Sequence, residues 1–205
     1  KKKVLIDLKN IIKKKKNFSN LNFHKLPNIM GVLNLTPDSF SDGGKFNNKS
    51  KGIKHAIEMI KSGANIIDIG GESTRPGSKA IKKKIEWKRI NKIIKFISKK
   101  IPTSLDTRKS EIMEKGIRLG VKIINDVSGL SYDSETKNVL KKYKVPFVIQ
   151  HSQGIPENMQ KNPKYKNALL DIYDFFEQKI ISLRSFGIRH NNIILDPGIG
   201  FGKNL

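Results

Sequence analysis

Six apolar, β-branched runs recur along this chain, and each stops on a polar residue. They read IMGVLN, NIIDIGGESTRPGS, TSLDT, IINDVSG, FVIQH and IILDPGIGFGK, with Asn34, Asp68, Asp106, Asn125, His151 and Asp196 where the apolar stretch gives out. Strands of a parallel sheet are covered on both faces, so they appear as unbroken Val, Ile and Leu. A polar residue placed where such a run stops belongs to the carboxyl rim of the sheet, the edge at which α/β folds carry their chemistry.

Helical periodicity fills the gaps between the runs. Ile53, Ala56, Ile57 and Ile60 form one stripe closed by Gly63, and Ile81, Ile85, Ile90, Ile93, Ile94 and Ile97 form a second that stops before Pro102. Ile112, Met113, Gly116 and Ile117 mark a third helix, Val139 and Leu140 a short fourth, and Leu169, Ile172, Phe176, Ile180, Leu183 and Phe186 a long fifth running up to Gly187. The strands are expected at 64–70, 103–106, 122–126, 146–150 and 192–196, after a first at the IMGVLN run. Strand–helix alternation without the reversal of a doubly wound sheet predicts an α/β fold of the (β/α)₈ TIM-barrel type. Such a barrel takes about 250 residues, so about six of its eight βα units are expected here. One domain is expected at 28–205, C-terminally incomplete, behind an N-terminal extension at 1–27 whose Val4, Leu5, Leu8, Ile11 and Ile12 allow a short amphipathic segment.

Composition closes off several function classes. Without cysteine there is no disulfide, thiolate metal site or thiol nucleophile within these residues, and a reducing cytoplasm is the expected location. Lys and Asn interrupt every apolar run well short of the roughly 18 to 20 residues a membrane span needs. The formal charge of +23 invites a polyanion partner, but the excess is nearly all Lys and spreads over every helix, with Ile and Asn inflated alongside it. A solvated surface accounts for that pattern; neither nucleic acid nor membrane is expected as a partner.

Three loops concentrate reactive chemistry. The one after the first strand, Asn34 to Gly44, is polar and turn-rich around a single Phe40, and its length favours a substrate lid with a stacking surface over a plain turn. The loop after the second strand, GGESTRPGS, sets Thr74 and Arg75 among small residues. A guanidinium can grip phosphate bidentately where an ammonium acts as a point charge, which favours phosphate binding by Arg75 over a surface ion pair. Asp106, Asn125 and Asp196 each end a strand. Singly they could cap helices; together they suit a flat heterocycle rich in N–H donors.

These strings resemble the dihydropteroate synthase family, the pterin-binding barrel enzymes of folate biosynthesis, over residues 28–204. IMGVLNLTPDSFSDGG and GANIIDIGGESTRPGS are close to its two signatures, with SLDTRKSE, IINDVSG and ILDPGIGFGK following in the expected order. The resemblance implies condensation of 6-hydroxymethyl-7,8-dihydropterin pyrophosphate with 4-aminobenzoate to give dihydropteroate and pyrophosphate. It implies that Asn125 and Asp196 hold the pterin's amino-pyrimidine edge, and that Asp106 lies by the other ring, near the methylene cation left when pyrophosphate departs. Asn34 would help bind Mg²⁺ and the diphosphate, with Thr74 and Arg75 completing the anion site. Phe40, Pro76 and Phe201 would flank the aminobenzoate ring, which sulfonamides mimic. A homodimer is implied for the full-length enzyme.

Two departures stand out. Gln150 sits where the family usually places a Met against the pterin, and the Ser-Arg-Lys and Arg-x-His motifs of the family's last two units do not occur in these residues. The 205 residues alone are therefore expected to be inactive. Two other readings compete. A methyltetrahydrofolate methyltransferase-type domain shares the acidic and amide pterin contacts but has no pyrophosphate for the TPDSF and STRPGS loops to hold. A Lys-rich RNA-binding protein would interleave its charge with exposed aromatics.

Overall fold

A computed structural model of the chain describes Leu5 and residues 27–36, 48–74, 78–153 and 163–203. The reading of 1–27 as an amphipathic extension, and the roles expected of Phe40, Arg75 and Pro76, lie outside the described residues. Six strands form one sheet: β1 (Met30–Asn34), β2 (Ile66–Gly70), β3 (Thr103–Asp106), β4 (Ile123–Asp126), β5 (Phe147–Gln150) and β6 (Ile193–Asp196). They pair in chain order, every neighbour parallel. Between them run α1 (Asn48–Lys61), α2 (Lys83–Ile97), α3 (Ser110–Arg118), α4 (Thr136–Tyr143) and α5 (Ala168–Ser185). Five βα units and a sixth strand, in strict succession, have the topology of consecutive units of a (β/α)₈ barrel. None of the described helices is long and apolar enough to cross a membrane.

Side chains alternate across each strand, and the two faces differ in kind. Leu33, Ile67, Ile69, Leu105, Ile124, Phe147 and Ile149 are buried in one cluster with the helix residues Ala56, Ile90, Ile93, Ile94, Ile97, Ile112, Met113 and Leu183. The other face carries a small separate cluster, Ile66 and Ile123 with Val148 and Ile194, at the amino-terminal end of the strands. One position toward the carboxyl end on this face, the apolar residues give way to acids and amides.

The second helical stripe needs correction. Ile81 precedes α2, and Ile85 is 45% exposed, whereas Glu86 is fully buried. The carboxylate displaces the apolar stripe because a buried cation waits for it, as described below. In α5, similarly, Phe176 and Leu183 are buried but Leu169 is 82% exposed.

Candidate active site

Register places the rim residues side by side. Asn34 pairs with Gly70, Gly70 with Asp106 and Asp106 with Asn125, so a single row crosses four strands. Gly70 is small for a reason: a Cβ there would stand 3.2 Å from Asn34 Oδ1 and 3.3 Å from Asp106 Oδ2. The glycine lets an amide oxygen and a carboxylate oxygen approach each other over β2. Asn125 Nδ2 donates to Asp68 Oδ2 at 3.0 Å, which fixes the amide with its oxygen turned away. Asp68 was legible only as the last polar residue of an apolar run; it sits in mid-strand, one layer below Asp106, and orients Asn125.

This arrangement leaves acceptors waiting. Asp68 Oδ1, Asp106 Oδ1 and Asn125 Oδ1 are buried and lack hydrogen-bond partners among the described residues. Burial, and then repulsion from Asp68 and Asp126, holds the Asp106 carboxyl well above the usual carboxylate range. Burial also raises Asp68, while the Ser104 and Asn125 side chains beside it pull the other way. A ligand that brought N–H donors would relieve all three oxygens at once.

Asp196 ends β6, two strands beyond Asn125, and pairs in register with Gln150 on the same face. Its Oδ1 accepts from Gly198 N at 2.8 Å, so the carboxylate is aimed by the turn that follows it. Gln150 is 3% exposed, with Nε2 unpartnered among the described residues. It therefore presents an amide where the family usually has Met. Gly198 has φ +63°, and a Cβ there would collide with the His151 carbonyl and crowd Gln150 Cγ at 3.1 Å. Only glycine lets the β6 turn close this tightly over β5.

Beneath the rim lies a buried ion network that the sequence did not announce. Lys109 Nζ reaches Glu72 Oε2 and Glu86 Oε2, each at 2.5 Å, and Arg108 Nε reaches Glu72 Oε1 at 2.8 Å. Thr107 donates to Glu86 Oε1, and Ile81 N to Glu72 Oε2. Glu72 belongs to the loop after β2 and Thr107, Arg108 and Lys109 to the loop after β3, so the network ties two rim loops to α2. Thr74, half-buried, follows two residues after Glu72.

Asp126, at the end of β4, accepts from Ser128 N at 2.8 Å and Ser128 Oγ at 2.6 Å, yet burial pushes its carboxyl up to about 6 from 3.8. An acid raised in the fold binds its proton more tightly there than in the unfolded chain. Its stabilising contribution is present below the unfolded value and is lost as pH rises through the folded one, by about 3 kcal/mol. Asp126→Asn, which cannot ionise, should therefore gain about that much on the wild type between about pH 4 and pH 7. Denaturant midpoints at the two pH values measure it; parallel curves for the two proteins would contradict the assignment.

Among the described residues no cluster of three or more His, Asp or Glu is arranged to hold a metal. The paired oxygens of Asn34 and Asp106 over Gly70 are hard donors of the kind Mg²⁺ accepts, and that ion commonly takes only one or two protein ligands, filling the rest with water and phosphate. The donor set fits such an ion.

Comparison with known proteins agrees with the geometry. Residues 30–205 match the family model described as pterin binding enzyme. A dihydropteroate synthase of Clostridium beijerinckii is 46% identical over 177 residues, covering 85% of this chain and 63% of the relative. Among solved structures, Yersinia pestis dihydropteroate synthase with a sulfonamide drug superposes with TM-score 0.83 at 39% identity, covering 90% of this chain and 67% of that one. Xanthomonas albilineans dihydropteroate synthase with 4-aminobenzoic acid superposes with TM-score 0.80 at 34% identity, covering 87% and 63%. The chain thus spans somewhat under two thirds of the length of the Clostridium relative.

Proposed function

We propose, from the premise that this chain belongs to the pterin-binding enzyme family, that it supplies the pterin half of a dihydropteroate synthase active site. The reaction joins 6-hydroxymethyl-7,8-dihydropterin pyrophosphate to 4-aminobenzoate and releases pyrophosphate. The observation that carries this reading is the set of buried, unpartnered oxygens on Asp106 and Asn125, level with Asn34 and Gly70, and on Asp68 one layer below them. A reduced pterin is a flat ring with N–H donors along its edge and is shaped to satisfy such a row.

In this reading Asn125, oriented by Asp68, and Asp196, oriented by Gly198, hold the amino-pyrimidine edge. Asp106 lies against the second ring. Loss of diphosphate leaves positive charge on the pterin's methylene carbon, and the Asp106 carboxyl fixed nearby stabilises that charge, the developing cation in turn favouring its ionised form. The amine of aminobenzoate then attacks the methylene, the C–O bond to diphosphate having broken, and the amine's proton passes to solvent or to the leaving group. Thr74 and Arg75 take the departing anion. Phe40, Pro76 and Phe201 flank the aminobenzoate ring, where sulfonamides would compete. Asn34, with Asp106 beside it, would hold Mg²⁺, which when bound supplies charge neutralisation to the diphosphate.

The test is Asp196→Ala in the full-length protein. Removing the carboxylate leaves ring donors unpaired and should weaken pterin binding by about 1 to 3 kcal/mol, roughly 10- to 100-fold. Calorimetric titration with a pterin decides it, and unchanged affinity would remove Asp196 from the site.

A further inference from the structure

Lys203 has an unusual set of partners for a lysine of so basic a chain. Its Nζ donates to the carbonyl oxygens of His151 at 3.1 Å, Gly198 at 2.9 Å and Phe201 at 3.0 Å, and lies 3.1 Å from His151 Nδ1. Among the described residues it forms no ion pair. An ammonium has three protons and no lone pair, so one proton is shared between His151 O and Nδ1, each at 3.1 Å, and Nδ1 takes part through its lone pair. The imidazole is then neutral, with its proton on Nε2.

The same turn is held from other sides. Phe201 N donates to Gly198 O at 2.9 Å, and Tyr165, from the segment ahead of α5, donates to Gly202 O at 2.6 Å. His151 N donates to Asp196 O at 2.9 Å, and its ring packs edge-on against Phe175 with centroids 4.9 Å apart. Burial, with the Lys203 charge next, keeps His151 below its ordinary range. Together these contacts brace the turn internally, tie it to the segment ahead of α5, and hold the end of β5 to β6 and α5.

We propose that Lys203 is a positioning residue for the second substrate: its ammonium fastens the 198–201 turn to the carboxyl end of β5 and so sets the Phe201 ring against the aromatic amine. This rests on the reading of Phe201 as an aminobenzoate contact. Lys203 touches neither substrate; it acts through the backbone of the turn and through the tautomer of His151.

These 205 residues contain no cysteine, so a direct test is made in the full-length protein after replacing by Ser any thiol that lies outside them. K203C removes the ammonium, and alkylation of the new thiol with 2-bromoethylamine restores one on a side chain of nearly the same length. K203C should raise the Michaelis constant for aminobenzoate about tenfold, since small displacements of a positioning group are costly, while the constant for the pterin pyrophosphate moves less, because Asp196 stays held by its register with Gln150 on β5. Aminoethylation should bring the first constant back. In parallel, ¹⁵N NMR of the imidazoles should show His151 as the Nε2–H tautomer in wild type, a mixture in K203C, and the wild-type state again after alkylation. An active wild type whose aminobenzoate constant is unmoved by K203C, or moves together with the pterin constant, overturns the role of Lys203 alone. A wild type that neither binds pterin nor makes dihydropteroate overturns the functional reading beneath it. Should K203C fail to fold, the wild-type spectrum still decides, because an Nδ1-protonated His151 is incompatible with the lysine contact.

Discussion

Lys109→Met should cost the fold about 3 to 5 kcal/mol, the usual penalty for removing one partner of a buried ion pair. The reason is the company Lys109 keeps. Glu72 is 5% exposed and Glu86 fully buried, and both direct a carboxylate oxygen at the same ammonium. With Lys109 gone, among the described residues Glu86 retains only the Thr107 hydroxyl and Glu72 only Arg108 and the Ile81 amide. Lys115→Met is the control: its bridge to Glu111 lies on the surface, both side chains being more than 40% exposed, and exposed pairs contribute about 0 to 1 kcal/mol. Urea unfolding of the two variants side by side measures the difference, and equal losses would mean that the network is not a buried one.

The second large effect concerns the 205-residue chain assayed by itself. It should form dihydropteroate about 10⁴-fold more slowly than a full-length relative, taking about 10²-fold for each of the two cationic motifs that the family places in its last units. The sheet points the same way. β1 and β6 are its two edges, with Met30, Val32 and Leu195 at 37%, 56% and 42% exposure. Unpaired strand edges carrying apolar side chains invite association with other chains. Turnover measured across a dilution series separates a monomer that is inactive from one completed by a second copy; rates comparable to a full-length enzyme at every dilution would contradict the expectation.

Strand positions were legible to within two residues because buried parallel strands write themselves as unbroken Ile and Val. TSLD was placed to the residue, and each of the other strands begins one or two residues later than expected while its carboxyl end is unmoved. The helices were legible where one apolar stripe faces one sheet. The stripe misled at Ile85 and Leu169, since periodicity registers apolarity and has no way to register that Glu86 is drawn inward by a lysine more than twenty residues away.

The site was readable to the same depth. Asn34, Asp106 and Asn125 do share a row, and Asp196 lies on the same face. Asp68 was visible as a polar residue in an apolar run but gave no sign that it would aim Asn125. Glu72, Lys109 and Lys203 looked like ordinary charges in a sequence crowded with them. Which charge is buried depends on what the fold brings opposite it, and that pairing is absent from any local pattern.

The lumen has two tiers, an apolar floor of Ile66, Ile123, Val148 and Ile194 and a polar storey above it. The floor holds the strands together whether or not the upper tier is occupied. The upper tier, with its unpartnered oxygens and crowded carboxyls, works against folding and is sustained only by what it does. Selection can therefore rewrite one without endangering the other. A lineage released from the need for this reaction would be expected to drift toward apolar residues at positions 68, 106 and 125, and to grow more stable as it forgot its chemistry.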